Sequence, residues 1–159
     1  MQVLLRQATQ DDAALIAELT RAAWSERVAN ASSGHRESAQ QVSEHLGLGG
    51  GFILLDGEVP IGSVRWLPLE SEAGVWEILR MGVLPQFRGQ QLSQHLLEAV
   101  VHLAQASHIE ELRLAVRHDQ PRLLDLYAAH GFELALELEY AHANPAAPAP
   151  SVMRRLLRR

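Results

Sequence analysis

Between Trp76 and Leu97 the chain changes period, and few folds accommodate that change. From Trp76 to Leu84 apolar side chains fall on both faces, the pattern of a strand inside a sheet. Pro85 ends it, because proline has no N–H to give the ladder. Beyond Gly89 the apolar positions are Leu92, Leu96, Val100 and Leu103, which is helical spacing. The join is Gln86-Phe87-Arg88-Gly89-Gln90-Gln91. A glycine at a strand-to-helix turn lets backbone approach a ligand closely. The unpaired N–H groups of the helix's first turn, with its dipole, suit a phosphate. This stretch therefore predicts a site for a phosphorylated cofactor.

With 159 residues, 47% hydrophobic and 21% charged, the chain suits one folded domain spanning residues 1–159. It has no cysteine, which excludes disulfides, thiolate metal sites and a cysteine nucleophile. The N-terminal Met-Gln-Val-Leu-Leu-Arg lacks a charged segment ahead of a long apolar run. No signal peptide is expected, and the expected location is cytoplasmic. No apolar run is long enough to span a bilayer. A net charge of −5 and a pI near 5.9 argue against nucleic acid and would suit an amine partner, although solubility alone explains mild acidity. Arg154, Arg155, Arg158 and Arg159 read as a solvated basic end.

Taken in order, Val3–Arg6 predicts a short strand. Thr9 with Asp12 is a capping signal for a helix whose apolar face is Leu15, Ile16, Leu19 and Ala23. Ala29 to His35 is small and polar, hence a loop. Ser38 with Gln41 caps a second helix, with Val42 and Leu46 as its apolar face and Gly47 and Gly49-Gly50-Gly51 ending it. Phe52–Leu55 is a strand, Asp56-Gly57 a hairpin turn, and the returning strand runs from Val59 to about Leu67. Pro60 and Gly62 predict an irregular start to it, such as a bulge. Leu69–Gly74 is a loop, and the helix after the period switch reaches about Ser107. Leu112, Leu114 and Val116 alternate as a strand, and Pro121 opens a helix that Gly131 stops. Phe132 to Tyr140 alternates apolar with Glu133, Glu137 and Glu139, which predicts a half-buried strand. Ala141–Ser151 reads as a long loop and Val152–Leu157 as a closing strand. The order β-α-α-β-β-β-α-β-α-β-β makes a mixed α+β sheet in one domain, without repeat or linker.

The turn at Arg88-Gly89 lacks the Gly-Lys-Ser/Thr of a P-loop and the three glycines of a dinucleotide fingerprint. Taken alone it fits a plain loop with a solvated arginine. Two longer motifs change that. Val83-Leu84-Pro85 followed by Gln86-Phe87-Arg88-Gly89-Gln90-Gln91 resembles the cofactor motif of the GNAT superfamily of N-acetyltransferases, a Val-x-Pro strand end and then Gln/Arg-x-x-Gly-x-Gly/Ala. Leu126-Tyr127 followed by Gly131-Phe132 resembles a second hallmark of that superfamily, and Val152–Leu157 looks like its last strand. The resemblance covers essentially the whole chain. It implies a central twisted mixed sheet of six to seven strands flanked by about four helices.

The resemblance also implies acetyl-CoA as acyl donor and direct acetyl transfer to a primary amine of a small molecule or peptide. Backbone N–H groups across Arg88, Gly89, Gln90, Gln91, Leu92 and Ser93 would hold the pyrophosphate, with Arg88 adding charge. The strand edge at Met81, Gly82 and Val83 would pair with the pantetheine amides, as an added strand does. Acyl transfer needs a deprotonated amine, a polarised thioester carbonyl and a stabilised thiolate. Glu77 stands where many relatives carry a general base; the alternative is a salt-bridged glutamate paired with Arg80. Tyr127 matches the tyrosine that serves the departing thiolate, against a plain core aromatic. Gln120 stands where the superfamily often has a cofactor-contacting asparagine. His118 is an alternative base.

Gln91 departs from the usual glycine or alanine, and Ser93 from another common glycine. These departures motivate the rival reading, a non-catalytic acyl-CoA-binding module. His95 and His102 share a helical face with Glu98, but that face also carries Gln91, Gln94 and Gln105, so a solvated face explains it and no metal is expected. The acceptor would enter between the first two helices and the Ala141–Ser151 loop. Neither nucleic acid nor a membrane is an expected partner, and a homodimer is compatible with the resemblance.

Overall fold

The computed structural model describes residues 1–24, 36–117, 120–144 and 148–157. Its elements are β1 (Val3–Gln7), α1 (Ala13–Trp24), α2 (Ala39–Leu48), β2 (Gly50–Asp56), β3 (Val59–Pro68), β4 (Val75–Val83), α3 (Ser93–Ala106), β5 (Glu111–Val116), α4 (Leu123–Ala129), β6 (Glu133–Leu134) and β7 (Ser151–Leu156). The strands form one seven-stranded sheet in the order β1-β2-β3-β4-β5-β7-β6. Only β4 and β5 pair in parallel; the other neighbours are antiparallel. The mixed α+β architecture and element order are those expected from the sequence.

Local chemistry explains where the helices begin. Before α1 the Asp12 carboxylate accepts the Thr9 N–H at 2.9 Å, closing a short 3-10 turn over Gln10–Asp12. Before α2 the Ser38 hydroxyl accepts from the Gln41 N–H at 3.2 Å. β2 starts two residues earlier than predicted, because Gly50 lies against the Trp66 ring and a Cβ there would sit 2.3 Å from it. The expected irregularity in β3 is real: pairing shifts between Leu54 and Leu55, which face Gly62 and Pro60.

Two layers of helix enclose the sheet. On one face α3 contributes Leu96, Leu97, Val100 and Ala104 to a core with Trp66, Ile78, Leu112 and Leu114, and α4 adds Tyr127. On the other face Ile16 and Ala17 of α1 and Val42 and Leu46 of α2 pack on Ile53. Among the described residues no helix is long and apolar enough to cross a membrane.

Two expectations are corrected. The strand predicted over Phe132–Tyr140 is only Glu133–Leu134 long. β6 is the sheet edge beyond β7, and Leu134 and Leu136 are exposed there. Alternation stabilises a strand only when one face is buried. The chain instead turns at Ala135–Leu138, where the Leu138 N–H donates to the Ala135 carbonyl at 3.1 Å, and crosses to β4. The second correction concerns the basic end. Arg154 and Arg155 lie within β7, opposite Arg113 and Leu112, and Arg155 donates to the His130 carbonyl at the end of α4 at 3.0 Å. Arg158 and Arg159, like the predicted loop over Ala29–His35, lie outside the described residues.

Candidate active site

The site follows from one parting in the sheet. β4 and β5 pair over only three residues, Val75 with Glu111, Trp76 with Leu112 and Glu77 with Arg113. Both strands continue, β4 to Val83 and β5 to Val116, but β5 goes on pairing with β7 while β4 stays with β3. A gap therefore opens just past Glu77. Its closed end is clamped by Arg113, which bonds Glu72 at 2.8 Å and Glu111 at 2.5 Å. Although burial opposes the charge, these carboxylates raise the Arg113 pKa.

Beyond the parting, β4 carries a bulge. Arg65 faces Leu79 and Ser63 faces Gly82, so Val64 stands opposite two residues, Arg80 and Met81. Arg80 is left-handed there, with φ of 55°. The kink brings the Arg80 side chain to the α1 and α2 face, where its Nε donates to Glu37 Oε1 at 3.1 Å. Gly82 abuts α1; a Cβ at this position would lie 2.7 Å from the Trp24 ring. Val83 is buried in the main core and Met81 packs against it.

β4 then leads into the turn Pro85–Phe87 and the start of α3. Gly89 has φ of 82°, with no atom within 4 Å of where a Cβ would be. Gln91 has φ of 58°, the glycine-like conformation, and its side chain is exposed. The first bonds of the helix are Gln94 N–H to Gln91 and His95 N–H to Leu92, at 3.3 and 3.1 Å. Among the described residues, the N–H groups from Gly89 to Ser93 donate to no backbone carbonyl. Leu92 is buried and anchors this turn in the core, while Gly89, Gln90 and Gln91 face outward. This is an open row of N–H donors at a helix start, and it fits a pyrophosphate. Arg88 Nη2 donates to the Ala23 carbonyl in the last turn of α1, where a cation also suits the helix dipole.

Glu77 is fully buried, and both its oxygens are engaged by the segment after β6. The Ala141 N–H donates to Oε2 at 3.0 Å, and His142 Nδ1 bonds Oε1. Next to it, the Tyr140 hydroxyl donates to the Ile78 carbonyl at 2.5 Å. Burial, and then the Glu77 carboxylate, push the Tyr140 phenol far up. Its surroundings also include Arg80, Tyr127 and Arg65. The expected alternative pairing of Glu77 with Arg80 does not occur, since Arg80 bonds Glu37. Because a carboxylate only accepts, Nδ1 of His142 donates to it, and Nε2 is the ring nitrogen turned away from Glu77; the side chain is 31% exposed.

Behind this pair lies a second polar cluster that the sequence did not reveal. Arg65, fully buried on β3, bonds Glu37 through Nη2 and His45 Nδ1 through Nη1, the latter at 2.9 Å. Burial, and then Arg65, lower the His45 pKa to about 4, so its ring is neutral and accepts from the guanidinium. Burial also lowers the Arg65 pKa, against the pull of Glu37. Glu37 Oε2 and Arg65 Nε are buried without a partner.

Tyr127 lies on α4, 8% exposed, with its ring edge-on to Phe132 at 6.2 Å. Burial pushes its phenol up to about 12, so the hydroxyl keeps its proton at neutral pH. Gln120 is buried where the chain enters α4, and its carbonyl accepts from Leu123 at 3.1 Å. His118 lies outside the described residues. His95 and His102 are both exposed, and among the described residues no three His, Asp or Glu side chains gather as a metal site.

Sequence comparison with curated proteins gives no match. Solved structures match throughout. The PaiA N-acetyltransferase of Thermoplasma acidophilum in complex with coenzyme A superposes with a TM-score of 0.79 at 15% identity, over 99% of this chain and 100% of that one. The ribosomal-protein-S18-alanine N-acetyltransferase of Escherichia coli gives 0.75 at 14% identity, over 98% and 94%. N-acetylglutamate synthase of Neisseria gonorrhoeae, complexed with coenzyme A and N-acetyl-glutamate, gives 0.75 at 22% identity, over 100% of this chain but 36% of that one. These likenesses establish the fold. The family model described as acetyltransferase (GNAT) family matches residues 14–132, most of the chain, and by that match the chain belongs to the GNAT acetyltransferases.

Proposed function

We propose that the protein transfers an acetyl group from acetyl-CoA directly to a primary amine. The observation that carries this reading is the parting of β4 from β5 just past Glu77, with the open N–H row of Gly89–Ser93 at the end of the same strand. The row suits the pyrophosphate, and the free edge of β4 at Met81, Gly82 and Val83 suits the pantetheine amides, as an added strand would. The buried Gln120 lies before α4, across the gap, and its amide is suited to a further polar contact. When bound, acetyl-CoA supplies an activated acetyl thioester.

The chain's own residues then have three tasks. One is to take the proton of the attacking amine. Glu77 is walled in, so the group that meets the amine is Nε2 of His142, while Glu77 fixes the ring and stabilises its charged form. The second is to serve the departing thiolate, which suits the protonated hydroxyl of Tyr127. The third is to polarise the thioester carbonyl, for which a backbone N–H of β4 such as that of Val83 is suited.

The rival reading, a non-catalytic acyl-CoA module, rested on Gln91. Its left-handed backbone and exposed side chain leave the N–H row open, which favours binding and says nothing against turnover. Calorimetry with acetyl-CoA, followed by a thiol-release assay over a panel of amines, separates the two. Binding with turnover supports transfer, and binding without turnover on any amine supports the module. Absence of binding contradicts both.

A further inference from the structure

We propose that the acceptor amine carries a carboxylate, and that the Arg80 guanidinium binds it. This rests on the acetyl-transfer reading and deepens it. Glu37 takes two arginines on one oxygen: Nη2 of Arg65 and Nε of Arg80 both bond Oε1. One carboxylate oxygen therefore serves two guanidinium groups. His45 is neutral, and the other nearby carboxylate, Glu77, is occupied by His142 and the Ala141 N–H. Among the described residues, Arg80 has no carboxylate to itself: its bond is to an oxygen it shares with Arg65.

Of the two arginines, Arg80 is the one a ligand can reach. Arg65 and Glu37 have side chains 1% and 0% exposed, whereas the Arg80 side chain is 16% exposed. Arg80 bonds Glu37 through Nε, and the two Nη groups of a guanidinium form the fork that takes a carboxylate through paired N–H bonds. A part-buried guanidinium that only shares a carboxylate gains from one of its own, and a substrate carboxylate supplies it. The left-handed turn at Arg80 aims this side chain at the α1 and α2 face instead of letting strand alternation send it to the α3 face. Tyr140 has both Glu77 and Arg80 among its neighbours, so one small molecule can reach the proton acceptor and the guanidinium together. The acceptor class is then an amino acid or a related amino-carboxylate, not a polyamine.

The test uses matched pairs that differ only by the carboxylate: L-phenylalanine and phenethylamine, L-tryptophan and tryptamine, L-lysine and cadaverine, 4-aminobutyrate and propylamine. Coenzyme A release is followed with the full-length protein and acetyl-CoA. In at least one pair the carboxylate-bearing member should have a kcat/KM about 10- to 100-fold higher, the range of a charge-assisted bidentate contact. Arg80→Asn, whose residue type tolerates the left-handed backbone, should bring that ratio close to one, mainly through KM, and Arg80→Lys should keep part of it. Equal or faster turnover of the carboxylate-free members overturns the proposal and leaves acetyl transfer standing. A ratio that survives Arg80→Asn overturns it as well. No release with any member, while acetyl-CoA still binds, overturns the transfer reading and this inference with it.

Discussion

His142 Nδ1 donates a hydrogen bond to the Glu77 carboxylate across 65 residues of chain, joining a fully buried acid to a half-buried imidazole. The contact is possible because β6 stops after two residues and the chain then crosses to β4.

If His142 Nε2 takes the amine proton, His142→Ala lowers kcat by roughly 100-fold or more, and added imidazole restores part of it. Glu77→Gln lowers it similarly, because a buried amide no longer fixes the tautomer with Nε2 bare or stabilises the charged ring. Steady-state rates with saturating acetyl-CoA check both. Full activity in His142→Ala would return the proton to Glu77 through water.

Tyr127→Phe keeps the ring in its core place beside Phe132 and removes only the hydroxyl. Turnover should fall by roughly 100-fold while the acetyl-CoA Kd measured by calorimetry changes little. The same hydroxyl has a stability signature. Burial raises its pKa to about 12 in the folded state from an ordinary value of 10. Below pH 10 both states hold the proton and the group makes no difference. Between 10 and 12 the unfolded chain loses it first, so stability falls by about 1.4 kcal/mol per pH unit from this group. Urea midpoints measured from pH 9 to 11 should drop less steeply in Tyr127→Phe than in the wild type.

Strand–turn–helix and the two capping pairs were legible in the sequence because their causes are local: a period, a proline, an oxygen three residues from its N–H. The contacts that make the site are not local. Arg80 meets Glu37 across 43 residues, and nothing in a single chain marks a glutamate in a polar loop as buried. The alternation from Phe132 to Tyr140 misled for a physical reason, since the pattern describes side chains and is silent on whether another layer exists to cover them. Gln91 was visible as a departure from glycine, while its left-handed backbone, which keeps the glycine's role, was not.

That backbone makes Gln91 a test of the cofactor turn. Gln91→Gly relieves a left-handed side-chain conformation worth about 1–2 kcal/mol, partly offset by the freer unfolded chain, so a net gain of about 0.5–1 kcal/mol is expected with acetyl-CoA binding retained. Gln91→Val, β-branched and poorly tolerated at positive φ, should destabilise the protein and weaken acetyl-CoA binding. Chemical denaturation and calorimetry on the two variants read both effects. Tighter acetyl-CoA binding by Gln91→Val than by Gln91→Gly would contradict an open N–H row as the pyrophosphate site.

The most direct measurement is coenzyme A release from acetyl-CoA in the presence of amines, with the acylated product weighed by mass spectrometry. The background is low, because every one of the 14 Lys+Arg positions is arginine and the chain cannot acetylate a lysine of its own. Acetyl transfer predicts coenzyme A and an N-acetyl product in equal amounts with at least one amino-carboxylate. Saturable acetyl-CoA binding with no release above the rate without amine, across the whole panel, would contradict it.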